Sequence, residues 1–170
     1  MRMPSVGDKV AYPMHGAGVI EAIENCEVQG ERRSYYVMKL PMGSLKVMIP
    51  VDNADNIGLR EIISESEAQE VVEVLKQRPE RTQGSWNKRF HANLERMKKG
   101  DLKEVAAVAR NLILQDRRRK VSSGERRIMD LAKQILISEL VYALNKTPTE
   151  AEMFVENAIN SRGKTNAADV

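Results

Sequence analysis

The sequence predicts an α+β protein in which a small antiparallel β barrel or curled sheet precedes a bundle of about five helices. Three observations carry that reading. Over the first 63 residues apolar and polar side chains alternate with a period of two. From Ser64 onward the apolar positions recur every three or four residues. Each helical stretch opens on a Ser, Thr or Asp, and most of these have a Glu three positions later, the signature of a helix N-terminus.

The strands come first. DKVAYP from Asp8 and GVIEAIE from Gly18 alternate in polarity, and ERRSYYVMKL from Glu31 and LKVMIPV from Leu45 are rich in β-branched and aromatic residues. The turn-forming runs PMHGAG, EVQGE and PMGS separate them, and a fifth strand is expected around Gly58 to Ile63. Gly16 and Gly18 suit a positive φ or a close backbone approach, and His15 between Met14 and Gly16 is expected to have a structural rather than a chemical role. So short a β module buries a marginal core, so it is expected to pack on the rest of the chain or on a partner.

The helices follow in order. Ser64 with Glu67 opens one whose buried face is Ala68, Val71, Val72 and Leu75, ended by Pro79. Ser85 caps a second carrying Phe90, Leu94 and Met97, which Gly100 terminates. Asp101 with Glu104 opens a third on Leu102, Val105, Ala109 and Leu112; Ser122 with Glu125 opens a longer one on Ile128, Leu131, Ile135, Leu136 and Leu140. Thr147, Pro148 and Glu150 start the last, with Phe154, Val155, Ala158 and Ile159 inside. The predicted organisation is a β domain over residues 1–63, a helical domain over 64–163 and a flexible tail over 164–170.

Composition narrows the function classes. With 42% hydrophobic and 30% charged residues the chain is globular, and no apolar run approaches the roughly 18 residues needed to cross a bilayer. The first residues lack the apolar segment of a secretory signal, and the one cysteine, Cys26, forms no internal disulfide, so a cytoplasmic protein is expected. His15 and His91 lack a carboxylate or cysteine at ligand spacing, and no phosphate-binding glycine motif occurs. The chain is therefore expected to be no enzyme and to carry no cofactor and no metal.

Charge is uneven. The net +3 conceals 15 Lys and Arg against 6 Asp and Glu between Arg81 and Lys133, a local +9. Such a segment either attracts a polyanion or is a solvated helical face. RRRK, Arg117 to Lys120, suits a helix C-terminus, but Arg126 and Arg127 fall in a first turn, where the dipole disfavours cations. A phosphate backbone would explain them. Trp86, the one tryptophan, falls on the first helical residue beside Lys88, Arg89 and His91. It either folds back on a neighbouring helix or serves as a wedge or stacking platform for a nucleic-acid base.

VGDKVAYPMHGAGVIEAIE, WNKRFHANLERMKKGDLKEVAAVARNL and VSSGERRIMDLAKQIL together resemble the CarD family of bacterial transcription regulators, also called CdnL, over about residues 5 to 160. The first module is similar to the polymerase-interacting domain of transcription-repair coupling factor. The resemblance implies a Tudor-like β domain that binds the RNA polymerase β subunit, partly by edge-strand pairing, and a helical domain that holds promoter DNA at the upstream edge of the bubble and stabilises the open complex. It assigns the wedge to Trp86 and phosphate contacts to Lys88, Arg89, His91 and Arg126, with Arg127 beside them. His91 stands where a lysine is common. The polymerase contact maps to Cys26, Lys46, Val47 and Met48; arginines occupy the positions of Cys26 and Met48 in well-known relatives, so here the pairing leans on backbone and apolar contacts, with Lys46 as a substitute cation. A nucleoid-associated monomer is expected, with edge pairing of two β domains as the route to a dimer. The competing function is a protein-interaction adaptor whose bundle binds no DNA and buries Trp86.

Overall fold

The computed structural model describes residues 3–81 and 84–165, the last four by backbone alone. Strands β1 (Lys9–Tyr12), β2 (Gly16–Val28), β3 (Glu31–Lys39), β4 (Lys46–Pro50) and β5 (Arg60–Glu61) form one antiparallel sheet in the order β4-β3-β2-β1-β5. Sequential strands pair as neighbours except β5, which returns beside β1. The period-two pattern places Val10, Ile20, Tyr36, Met38 and Ile49 in one buried cluster, completed by Leu40, Ala54 and Leu59 from the connections. β2 and β3 outrun their neighbours: β1 covers β2 only as far as Val19 and β4 covers β3 only as far as Tyr35, so residues 25–34 project as a two-stranded ribbon.

Five helices follow: α1 (Glu65–Lys76), α2 (Trp86–Lys98), α3 (Leu102–Arg118), α4 (Ser123–Ala143) and α5 (Pro148–Thr165). Every expected cap is made. Ser64 and Glu67 bond reciprocally, Thr147 and Glu150 do the same, and Ser85, Asp101 and Ser122 each accept a first-turn N–H. Glu104 does not close a box with Asp101; its carboxylate accepts from Arg96 Nε at 2.6 Å. α5 continues to Thr165, two residues into the span expected as tail, and 166–170 lie outside the described residues. The stripes of α1, α3, α4 and α5 build the main core, whereas Phe90 and Leu94 of α2 are only half-buried. No described helix is long and apolar enough to cross a membrane.

The sheet meets the bundle at α4. Gly16 has φ +109°, and a Cβ there would lie 2.6 Å from Ser138 Oγ, so glycine is required both for the turn and for the approach. The adjacent Ala17 N–H donates to Ser138 Oγ at 2.8 Å, and that hydroxyl donates to Ile135 O. Beside it, Arg60 Nη1 and Nη2 donate to both oxygens of Glu139 at 2.7 and 2.9 Å, Arg60 Nε donates to Gly100 O, and Ile63 N–H donates to Glu139 Oε2. Glu139 is 1% exposed. Its charge is tolerated there because a bidentate guanidinium and an amide satisfy it. A residual cavity of about 10 Å3 shows how closely this joint is packed.

Arg60→Ala is expected to lower the unfolding free energy by about 3–5 kcal/mol, because it leaves the Glu139 carboxylate buried without its counter-charge. The pair Arg60→Met with Glu139→Gln should recover more than half of that loss, since glutamine still accepts from Ile63 N–H. Urea unfolding of the three chains measures both values.

Candidate nucleic-acid interface

Trp86 is the first residue of α2, and its indole lies against the start of α4. The ring stacks on Phe90, one turn on, with centroids 5.3 Å apart and planes at 24°. Its six-membered edge covers Gly124, where a Cβ would be 2.8 Å from Cζ2. Nε1–H donates to Ser122 Oγ at 2.8 Å. That hydroxyl also accepts Glu125 N–H as the cap of α4 and donates to Glu125 Oε1, which saturates its one donor and two acceptor positions. The tryptophan is nevertheless 41% exposed. The indole is thus packed on Phe90 and Gly124 and bonded at its N–H, while the rest of its surface is exposed.

The basic residues divide. Arg89 is half-buried, donating from Nη1 to Gly84 O at 3.1 Å with Nη2 3.8 Å from buried Glu125, so it ties α2 to α4. Arg126 donates to Asp116 Oδ1 at 2.8 Å while keeping 45% of its side chain exposed. Arg127 and Lys88 are exposed and have no ionic partner among the described residues. His91 is exposed, and its ring meets that of Phe90 edge to face with centroids 5.8 Å apart. Arg117 is held by Glu156 and Asn160. The first-turn position of Arg126 is thus offset by a carboxylate, whereas that of Arg127 is not.

The segment leading to Trp86 is anchored from the other side. Glu80 receives Arg96 at 2.6 and 3.3 Å and Arg110 at 3.4 Å, and its N–H donates to Asn111 Oδ1. The Arg96 hydrogen bond holds the Glu80 carboxyl below the usual carboxylate range, reinforced by the charges of Arg96 and Arg110. Sequence periodicity gave no sign of Ser122, Gly124 and Glu125 as partners of Trp86, although the Ser-x-x-Glu cap was visible.

At the far end of the molecule, β4 is an edge strand of the described sheet. By register Met48 lies opposite Val37 and Ala22, on the same face as Cys26 and Lys46. Met48 is 46% exposed, Cys26 is half-buried, and Lys46 pairs with Glu21 at 3.0 Å. Val47 points the opposite way, against the sheet core. Leu45 and Ile23, not singled out from the sequence, add exposed apolar surface near this edge and on β2.

Two family models match the chain: the CarD-like/TRCF RID domain over residues 5–63 and the CarD C-terminal domain over residues 70–156. The chain belongs to the CarD family. The first match spans the sheet, and the second begins within α1 and ends within α5. A relative from Bacillus subtilis (strain 168), named "Putative transcription factor YdeB", is 30% identical over 152 residues, covering 89% of this chain and 99% of that protein. The family is one of transcription factors that act through RNA polymerase. Among the described residues no group of three His, Cys, Asp or Glu is placed to hold a metal ion.

Ser122→Ala removes both the cap of α4 and the acceptor for the indole. It is expected to cost about 1 kcal/mol of stability and to shift Trp86 emission to longer wavelength with easier acrylamide quenching, both read in one fluorescence titration. Glu80→Gln is expected to cost under about 1 kcal/mol at neutral pH, because Glu80 is half-exposed. A carboxyl held low in the folded state stabilises above its unfolded pKa and loses that contribution as pH falls through the folded one. The gap between parent and Glu80→Gln should therefore close on acidification, as urea midpoints measured from neutral to acid pH will show.

Proposed function

We propose that this CarD-family protein binds the RNA polymerase β subunit through its sheet and stabilises the open promoter complex through Trp86 at the upstream edge of the DNA bubble. The observation that carries the reading is the half-exposed indole, latched at Nε1 to Ser122 and accompanied by Lys88 and Arg127, cations with no ionic partner among the described residues. A wedge must present an apolar face to DNA without first being ordered, and the bonds to Ser122 and the stack on Phe90 supply that order in the free protein. Inserting it unstacks a base step at a cost of a few kcal/mol, which is least where the duplex is already opening. The cations hold the flanking phosphates.

The sheet supplies the other anchor. An edge strand with unpaired backbone groups, Met48 and Leu45 exposed, and Lys46 beside them suits strand addition by a partner segment. Because the open and closed promoter states differ by few kcal/mol, about 1.4 kcal/mol contributed to the open state changes its equilibrium tenfold. One well-placed side chain is enough to regulate.

Trp86→Ala is expected to retain polymerase binding in a pull-down against the β subunit while shortening the lifetime of open complexes, by about tenfold if the wedge contributes the 1.4 kcal/mol above. Unchanged lifetimes would favour the adaptor reading, in which the bundle only packs. In DNA binding at graded salt, Lys88→Ala and Arg127→Ala should each flatten the logarithmic salt slope by about 0.9. Arg126→Ala should move it less, because Asp116 already neutralises that guanidinium. An equal change at Arg126 would show that Asp116 releases it to phosphate.

A further inference from the structure

A cleft of about 410 Å3 opens between the outer face of α3 and residues 79–81, apart from the Trp86 surface and from the β4 edge. Its size lies within the range of small-molecule sites. Arg81, Arg118 and Arg119 stand around it, all exposed and without a carboxylate partner among the described residues. The one carboxylate in its wall, Glu80, is engaged by Arg96 and Arg110. Pro79 and Leu114 contribute half-buried apolar surface between the cations.

Two amides complete the lining, and their partners outside the cleft decide which atoms they present. Asn111 Oδ1 accepts from Glu80 N–H at 3.0 Å and from Arg110 Nε and Nη2 at 3.1 and 2.9 Å, so its Nδ2 donor is left to the cleft. Gln115 Nε2 donates to Glu125 Oε2 at 3.4 Å, so its Oε1 acceptor is left. At spacing i, i+4 on one helix the two Cβ atoms are about 6 Å apart. A neighbouring donor and acceptor match the edge of a nucleobase, and three arginines match clustered phosphates.

We propose that this cleft binds a nucleoside di- or triphosphate, with the phosphates on Arg81, Arg118 and Arg119, the base over Leu114 and Pro79, and its edge on Asn111 and Gln115. A polyphosphate suits three cations at one cleft better than a DNA strand, which carries one charge per nucleotide. Gln115 joins the cleft to Glu125, the carboxylate that meets both Ser122 and Arg89, so occupancy would be felt at the Trp86 latch.

The test is isothermal titration of the full chain, without polymerase or promoter, with ATP, GTP, sodium tripolyphosphate and a single-stranded 12-mer in turn. At least one nucleotide should bind once per chain. Arg81→Ala and Arg118→Ala should each weaken it by about tenfold, the loss of one charge-assisted hydrogen bond, and Lys76→Ala on α1 should leave it unchanged. Tripolyphosphate binding as tightly as the nucleotides would overturn recognition of a base. Absence of nucleotide binding, or binding that survives both arginine substitutions, would overturn the site. If only the 12-mer bound and lost affinity with the same substitutions, the cleft would be a DNA-strand contact and the nucleotide proposal would fall.

Discussion

The buried bidentate pair of Arg60 with Glu139 is the constraint on which the arrangement of the molecule depends. A β module of this size has too small a core to be rigid by itself, and its eight-residue cluster is separate from that of the helices. What unites them is a joint on one stretch of α4, where Ser138 takes the β1–β2 turn and Glu139 takes Arg60 of β5, with Met14 and Met42 packed against the helical core. Such a pair contributes less through its gross attraction than through specificity of geometry: a guanidinium fork fits a carboxylate in one orientation only. The sheet is thereby set at one angle to the bundle.

α4 then acts as the strut between the two working surfaces. Its N-cap and first turn carry Ser122, Gly124 and Glu125, which hold Trp86, and its later turns carry Ser138 and Glu139, which hold the sheet. Seventeen residues at 1.5 Å each put about 25 Å of helix between the latch and the joint. Helices of this length, packed on several sides, bend little, so a partner seated on the sheet sees the indole at a set distance. In the proposed function this is what allows one aromatic side chain to be aimed at a particular base step.

The basic segment is less available than its count suggests. Arg89, Arg96, Arg110, Arg117 and Arg126 all have acidic or carbonyl partners within the fold, and several of them tie one helix to another. Those left open, including Lys88, Arg127, Arg118 and Arg119, lie near the α2 and α4 starts and at the end of α3. Local charge counts from sequence treat every cation alike. Folding spends some of them on internal pairs, and the remainder defines where a polyanion can sit.

Element type and order were legible in the chain because their causes are local. Capping pairs such as Ser64 with Glu67 and Thr147 with Glu150 lie three residues apart, and the apolar stripes repeat within a turn or two. Trp86 at a first helical position, and therefore near a surface, followed from the same logic. Short β5 and the length of the β2–β3 ribbon did not, because strand ends depend on where neighbouring strands stop. Nor did the latch, the joint or the division of the arginines. Trp86 meets Ser122 across 36 residues, Arg60 meets Glu139 across 79, and Ala17 meets Ser138 across 121. A hydrogen bond between residues so far apart leaves no periodic trace, so the sequence determined what each segment becomes, and only tertiary packing decided which polar groups satisfy one another and which remain free for a partner.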